Sequence, residues 1–153
     1  MRHRMTIDSP VGRLVLAQED DVLVAIGWGG DDSADETPLL AETARQLRLY
    51  FAGNLRRFDL PLAPAGTGFE QRVWSAMREI PHGEARSYGE LASAIGSGPR
   101  AVGRACGRNP IPIVIPCHRV ISRSGLGGYS GEGGVDTKRH LLALEGFRVR
   151  QAA

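Results

Sequence analysis

Lysine is almost absent from this chain. Of 19 basic residues only Lys138 is a lysine, so the cationic chemistry is nearly all guanidinium. Cysteine is scarce too: Cys106 and Cys117 are the whole supply, and with no Cys-x-x-Cys pair they exclude a disulfide framework and a paired-cysteine zinc site. No apolar run approaches the ~18 residues of a membrane span, and residues 1–8 lack the apolar stretch of a secretory signal. The expected setting is therefore a reducing cytoplasm, with no membrane partner. The Gly-x-x-x-x-Gly-Lys-Ser/Thr phosphate loop is missing as well. What remains, 42% hydrophobic and 24% charged over 153 residues, is ordinary globular composition, enough for one domain or two small lobes.

The net charge of +2 hides an asymmetry. Residues 1–79 carry nine basic and twelve acidic groups, whereas residues 80–153 carry ten and five. A basic second half on a nearly neutral chain points to an anionic partner for that half. The first half reads as scaffold. Arg13–Ala17 and Val22–Ile26 are β-rich runs joined as a hairpin through Glu19, Asp20 and Asp21. Thr37 caps a helix with Pro38 at its first position, and Leu40, Ala44, Leu47 and Phe51 give it an apolar stripe ending near Gly53. Phe58–Leu60 is expected to return as a strand. Pro61–Gly66 is the linker, dividing residues 1–64 from residues 65–153.

The strongest chemical signal lies at Asn109–Ile121. Pro110, Pro112 and Pro116 remove backbone donors and exclude a continuous helix or a central strand. The stretch is expected to run extended, with Ile113 and Ile115 buried, and to deliver Cys117 to the end of an apolar run. A lone cysteine is more commonly a small buried apolar residue. His118 and Arg119 beside it favour a thiolate instead. Neighbours in extended chain face opposite ways, so His118 reaches the sulfur only through a bend or a bridging water.

Before this stretch lie two capping boxes, Thr67 with Glu70 and Ser87 with Glu90. The first opens a helix with Phe69, Val73, Trp74 and Met77 inward. The second opens a short helix with Leu91, Ala94 and Ile95 inward. A Gly96–Gly98 turn then leads to a helix from Pro99 that stops before Asn109, in the proportions of a helix-turn-helix. On that helix Arg100, Arg104 and Arg108 form one stripe and Gly103 and Gly107 another. Two glycines in one short helix cost about 1 kcal/mol each relative to alanine. Either an external surface approaches closely, such as a nucleic-acid backbone, or the glycines pack tightly against the core. Downstream, Ser124–Gly134 holds six glycines around Tyr129 and Ser130, a loop shaped as a wall. Val135–Glu145 is a last helix carrying Leu141, Leu142 and Leu144, with Gly146 as its cap. Cys106 reads as structural, and His82 and His140 as surface residues without a role.

Gly66–Trp74, Ser87–Ala92, Arg100–Gly103, Asn109–Pro110, Ile115–Val120, Gly128–Gly131 and Leu144–Gly146 together resemble the O6-alkylguanine-DNA alkyltransferases, in order and spacing, over more than half the chain. Pro116-Cys117-His118-Arg119-Val120 is the most specific piece, and Ser9–Trp28 is a looser match. The resemblance implies an RNase H-like α/β first lobe, a small antiparallel sheet with a helix. A mostly α, winged-helix-like second domain follows it. It implies that Cys117 accepts the alkyl group from guanine O6, with O4-methylthymine as a second candidate substrate. His118, acting through a water and oriented by Glu145, activates Cys117, and Tyr88 gives a proton to the departing base. Ser130 binds O6, Tyr129 walls the pocket, and the Cys117 and Val120 carbonyls accept from the exocyclic amine. Arg100 fills the gap left by the flipped nucleotide, while Ala101, Gly103 and Gly107 let the helix lie close to the minor groove. Arg104, Arg108 and Arg119 supply further DNA contacts, and Asn109 is a hinge. The implied partner is double-stranded DNA containing O6-alkylguanine. The implied protein is a monomer in solution and a candidate for cooperative assembly on DNA. It acts once per molecule, without cofactor or metal: residues 1–79 hold no cysteine and only His3.

Two rivals make different demands. A Cys-His-acid hydrolase turns over and has no use for the arginine stripe. A plain helix-turn-helix binding module leaves Cys117-His118-Arg119 without purpose and survives Cys117→Ser. Damage sensors of the related type replace the reactive cysteine, which is present here, and a cysteine-rich regulatory domain has no room in 153 residues.

Overall fold

The computed structural model describes residues 1–30 and 32–147. The chain opens with a three-stranded antiparallel meander, β1 (Arg2–Ile7), β2 (Leu14–Glu19) and β3 (Val22–Trp28), in the order β1-β2-β3. β1 had no signal of its own, since Arg2 and Arg4 are exposed and Ile7 alone of its six residues is buried. The hairpin turn falls at Asp20, whose φ of 52° is a conformation that aspartate tolerates. Leu14 and Leu16 from β2 and Leu23 and Ile26 from β3 are buried against α1 (Pro38–Phe51). Thr37 caps α1 by accepting from the Leu40 amide at 3.1 Å.

Two expectations change here. Tyr50, not Phe51, is the fully buried aromatic at the end of α1. Phe58–Leu60 forms no strand. Instead the following residues run beside β3 through one parallel bridge, Leu23 to Leu62. Pro61 has no amide to donate, so the pairing stops after Leu23 N–H to Pro61 O and Ala63 N–H to Leu23 O. Gln46 holds the intervening loop by donating to Asp59 O at 3.0 Å and accepting from its amide at 2.9 Å.

The second half is helical. α2 (Gly68–Arg78) starts at the Thr67–Glu70 capping box, with both reciprocal bonds formed. Val73, Trp74 and Met77 are buried, and Trp74 Nε1 donates to Ala105 O at 2.9 Å. Gly66 must be glycine, because a Cβ there would lie 2.3 Å from the Trp74 ring. Next come β4 (Arg86–Ser87), α3 (Tyr88–Ile95) and α4 (Pro99–Gly107). α3 carries the second complete capping box and ends at Gly96 in the left-handed conformation, φ 70°. It buries Leu91 and Ala92, leaving Ala94 exposed rather than inward. α3 and α4 are the two helices of the helix-turn-helix.

Residues 109–116 are not extended. The chain curls so that the Ile115 amide donates to Ile111 O at 2.9 Å, and Ile113 sits at φ 74°. A β-branched residue there is strained, and the surrounding burial of Ile111, Ile113 and Ile115 holds it. Asn109 clamps the curl, donating to Ile115 O at 2.8 Å and accepting from the Ile111 amide at 2.9 Å. Cys117–Arg119 then forms one 3-10 turn, leading into β5 (Val120–Ile121), which pairs in parallel with β4. α5 (Val135–Leu144) closes the described chain, with Gly146 at φ 87° just past its end.

Candidate active site and nucleic-acid interface

α4 turns Val102, Ala105 and Cys106 into the core, which leaves Arg100, Arg104 and Arg108 exposed on the other side. A Cβ built on Gly103 or Gly107 meets nothing within 4 Å. The glycines are therefore not demanded by packing inside the protein, and the core-packing reading of them falls. They leave a flat outer strip between arginines, suited to a surface brought in from outside. Gly103→Leu is expected to leave the thermal midpoint unchanged or raise it, since helix propensity improves by a few tenths of a kcal/mol to about 1. The same change should weaken duplex DNA binding at least tenfold, read by fluorescence anisotropy. Equal affinity would remove the strip from the interface.

Beside α4 a cavity of about 570 Å³ opens, lined among others by Tyr88, Arg100, Gly103, Cys117, Tyr129 and Ser130. Cys117 is 4% exposed, at the start of the 3-10 turn. Burial pushes its thiol up, while a hydrogen bond from the Asn109 side chain and the charge of Lys138 oppose that. Ala101, Arg104 and Arg108 lie outside this cavity on the adjacent face, with Glu70 3.6 Å from Arg108. Val120 and Asn109 are buried behind the cavity rather than lining it.

Behind Cys117 is a sealed polar cluster around Glu145, whose side chain is fully buried. Arg119 grips the carboxylate with Nε to Oε1 at 2.8 Å and Nη2 to Oε2 at 3.0 Å, and Nη1 donates to Ile80 O at 2.7 Å. Arg119 is thus not a DNA contact: the 3-10 turn rotates it inward, its three guanidinium nitrogens are engaged within the protein, and its side chain is only 8% exposed. Tyr50, from α1, donates to Glu145 Oε2 at 2.6 Å, and His118 Nε2 lies 2.7 Å from the same oxygen. Burial works to raise the Glu145 pKa, but hydrogen bonds from His118 and Arg119 and the charge of Arg119 outweigh it and hold the carboxyl well below the usual range. Burial keeps His118 neutral, lowering its pKa against the pull of Glu145. A neutral imidazole facing a carboxylate carries its proton on Nε2. That leaves Nδ1 as an acceptor, buried and without a protein partner.

Lys138, the only lysine, is fully buried on α5. Nζ donates to Val120 O at 2.6 Å, Gly128 O at 2.9 Å and Tyr88 Oη at 3.4 Å, tying β5, the glycine-rich loop and α3 together. Burial lowers its pKa to about 8. Burial also pushes Tyr88 up to about 12 and Cys106 up to about 12. Cys106 packs its sulfur 3.5 Å from Met77 Sδ, which fits a structural role.

Sequence reasoning missed Tyr50 and Lys138. Being the sole lysine was a usable signal for the second. The first half of the chain is more than scaffold, because Tyr50 completes the Glu145 cluster across 95 positions of sequence. Tyr50→Phe is expected to lower unfolding stability by about 1.5–3 kcal/mol, the range for a hydrogen bond to a charged group, as measured by urea denaturation. A loss under 0.5 kcal/mol would mean the bond is idle.

A flat basic helix face beside a cavity that ends on a thiol defines a class: DNA-binding proteins whose own cysteine is the reacting group. Residues 68–147 match the family described as 6-O-methylguanine DNA methyltransferase, DNA binding domain, and residues 3–64 match its ribonuclease-like domain. The chain belongs to this family. It is 43% identical to the constitutive methylated-DNA–protein-cysteine methyltransferase of Bacillus subtilis, over 99% of either chain. It is 47% identical to the Mycobacterium bovis methylated-DNA–protein-cysteine methyltransferase, covering 97% of this chain and 95% of that one. The crystal structure of the Mycobacterium tuberculosis O6-methylguanine methyltransferase superposes with a TM-score of 0.83 at 47% identity, over 95% and 93% of the two chains. That of Mycobacterium tuberculosis OGT in complex with DNA gives 0.84 at 49% identity, over 94% and 92%. The small antiparallel sheet with a helix, followed by a mostly helical part, is the fold of this family.

Proposed function

We propose that this protein repairs O6-alkylguanine in double-stranded DNA by moving the alkyl group irreversibly onto Cys117. The carrying observation is the placement of Cys117 at the floor of a cavity that opens beside the flat, arginine-edged face of α4. O6 is inaccessible inside a duplex, so the nucleotide is flipped into the cavity, at a few kcal/mol. Arg100 fills the space left in the stack, and Arg104 and Arg108 hold phosphates.

His118 Nδ1 takes the Cys117 proton through a water, and Glu145 stabilises the resulting imidazolium. The thiolate attacks the alkyl carbon in line, so the S–C bond forms as the C–O6 bond breaks and its electron pair stays on guanine. Tyr88 gives the base a proton, and the buried ammonium of Lys138, 3.4 Å away, steadies the phenolate that remains. Ser130 faces O6 and Tyr129 walls the pocket. The proton held by His118 restores Tyr88 through solvent, so the sum is thiol plus alkylguanine to thioether plus guanine. No cofactor enters this balance. A thioether is not hydrolysed back, so each molecule acts once. We take the protein to act in the cytoplasm as a monomer in two parts, residues 1–64 and 65–153, and to be capable of side-by-side assembly on DNA. Among the described residues no helix is long and apolar enough to cross a membrane.

The test is intact-protein and peptide mass spectrometry after mixing with duplexes carrying one O6-methylguanine or one O4-methylthymine. One methyl per protein on the Cys117 peptide, absent in Cys117→Ala, is the expected result with the first duplex. Binding without transfer would make the protein a damage sensor, and turnover without a stable adduct would make it a hydrolase.

A further inference from the structure

The wall of the cavity is held by a residue from the other half of the chain. Tyr129 sits in the stretch 122–134, which forms little regular structure before α5. The Tyr129 hydroxyl is buried with no hydrogen-bond partner, so no polar contact fixes the ring. Packing must do it, and the packing partner is Trp28, at the end of β3. The two rings meet edge-on, 86° between planes and 6.3 Å between centroids. Gly131 is wedged beside them: a Cβ there would lie 2.4 Å from the Tyr129 ring and 2.7 Å from the Trp28 ring.

Trp28 itself is well anchored. It pairs with Leu14 in the β2–β3 ladder, and Nε1 donates to Val11 O at 2.9 Å. The turn beneath it closes tightly through Gly12, at φ 111°, whose Cβ would sit 3.4 Å from the indole. A rigid sheet therefore presents a fixed ring edge to Tyr129 from one side, while Lys138 holds the neighbouring backbone at Gly128 O and leaves the Tyr129 ring itself to packing.

We infer that Trp28 is a positioning residue that sets, through Tyr129, the width of the alkyl pocket and hence the size of group that reaches Cys117. The inference deepens the proposed function and rests on it. Without the indole the space behind Tyr129 empties and the wall can swing outward, so bulky groups gain relative to methyl. Each methylene-sized change in a pocket alters discrimination by about tenfold or more.

The experiment compares wild type, Trp28→Ala and Trp28→Phe, each first shown to be folded by its thermal unfolding midpoint. Trp28→Leu replaces the alanine variant if that one does not fold. Single-turnover rate constants are measured with duplexes carrying O6-methylguanine and O6-benzylguanine. In parallel, the Cys117 peptide is followed as its thiolate displaces methanesulfinate from methyl or benzyl methanethiosulfonate, a reaction that needs no guanine. The expected result is a benzyl-to-methyl ratio raised by about tenfold in Trp28→Ala and returned towards wild type in Trp28→Phe, in both assays. A ratio within twofold of wild type in a folded Trp28→Ala, even with both rates reduced together, would overturn the inference and leave Trp28 purely structural. If wild type transfers nothing from DNA, the proposed function fails by itself, and the thiosulfonate ratio still decides the role of Trp28.

Discussion

Arg119→Met is expected to lower unfolding stability by about 3–5 kcal/mol while leaving DNA affinity of the folded protein unchanged. Arg119 supplies two of the four side-chain donors to a carboxylate that has no solvent contact. Without it Glu145 remains a buried charge with Tyr50 and a neutral imidazole as partners, which is the expensive way to break a buried pair. A small domain is stable by only about 5–15 kcal/mol, so the variant sits near the edge of folding. Two controls keep the measurement informative. Arg119→Lys retains charge without the fork and should fall between the two. Arg119→Met with Glu145→Gln removes the stranded charge and should recover part of the loss, giving the coupling by a double-mutant cycle. The readout is urea unfolding followed by tryptophan fluorescence, with DNA anisotropy against salt alongside. Arg104→Gln should reduce the slope of log K against log salt by about one, and Arg119→Met by nothing. A reduced slope for Arg119→Met with normal stability would return Arg119 to the DNA surface.

The same cluster fixes the sign of the pH response. Glu145 is held below its unfolded pKa, so its contribution is complete above the usual carboxylate range, about 4.3, and is lost progressively as pH falls from there towards the lowered folded value. His118 adds to this from higher pH. Its folded pKa is depressed, so the unfolded chain binds a proton first and stability begins to fall below about 6.5. Urea midpoints should therefore decline from near neutrality downward, and less steeply below the carboxylate range in Glu145→Gln.

What the sequence disclosed and what it withheld divide along a physical line. Thr67 with Glu70 and Ser87 with Glu90 are local chemistry, satisfied within three residues, and both boxes form as read. Pro110, Pro112 and Pro116 excluded a helix and a central strand. They did not disclose the curl at Ile113, because a left-handed isoleucine is imposed by its surroundings and has no residue signature. β1 is visible only once β2 is there to pair with it. The inward rotation of Arg119 was hidden because the turn that produces it spans only three residues, too few to carry a period. Cys117, Tyr129, Ser130 and Arg100, all within or beside the motif stretches, line one cavity. Tyr50 and Trp28 were not legible, since each acts through a contact whose partner lies some hundred positions away.

Lys138→Met should slow alkyl transfer by about 10²–10³, the effect of deleting one preorganised donor from a water-poor site. The ammonium faces the Tyr88 oxygen and two carbonyls, and its charge opposes the desolvation of Cys117. It thus favours negative charge at two places where the proposed reaction develops it, the sulfur and the phenol. The pH profile separates this from a packing role. In wild type, transfer rises with pH as more thiolate forms, then levels off as Lys138, with a pKa lowered to about 8, gives up its charge while the raised Cys117 thiol is still titrating. In Lys138→Met the break near pH 8 should vanish, leaving a slow rate that keeps climbing with pH through that region. Single-turnover rates from pH 6 to 10, at duplex concentrations that saturate the protein, would show it. Should the variant keep the same break near pH 8 at reduced height, Lys138 serves only to tie β5 to the glycine-rich loop.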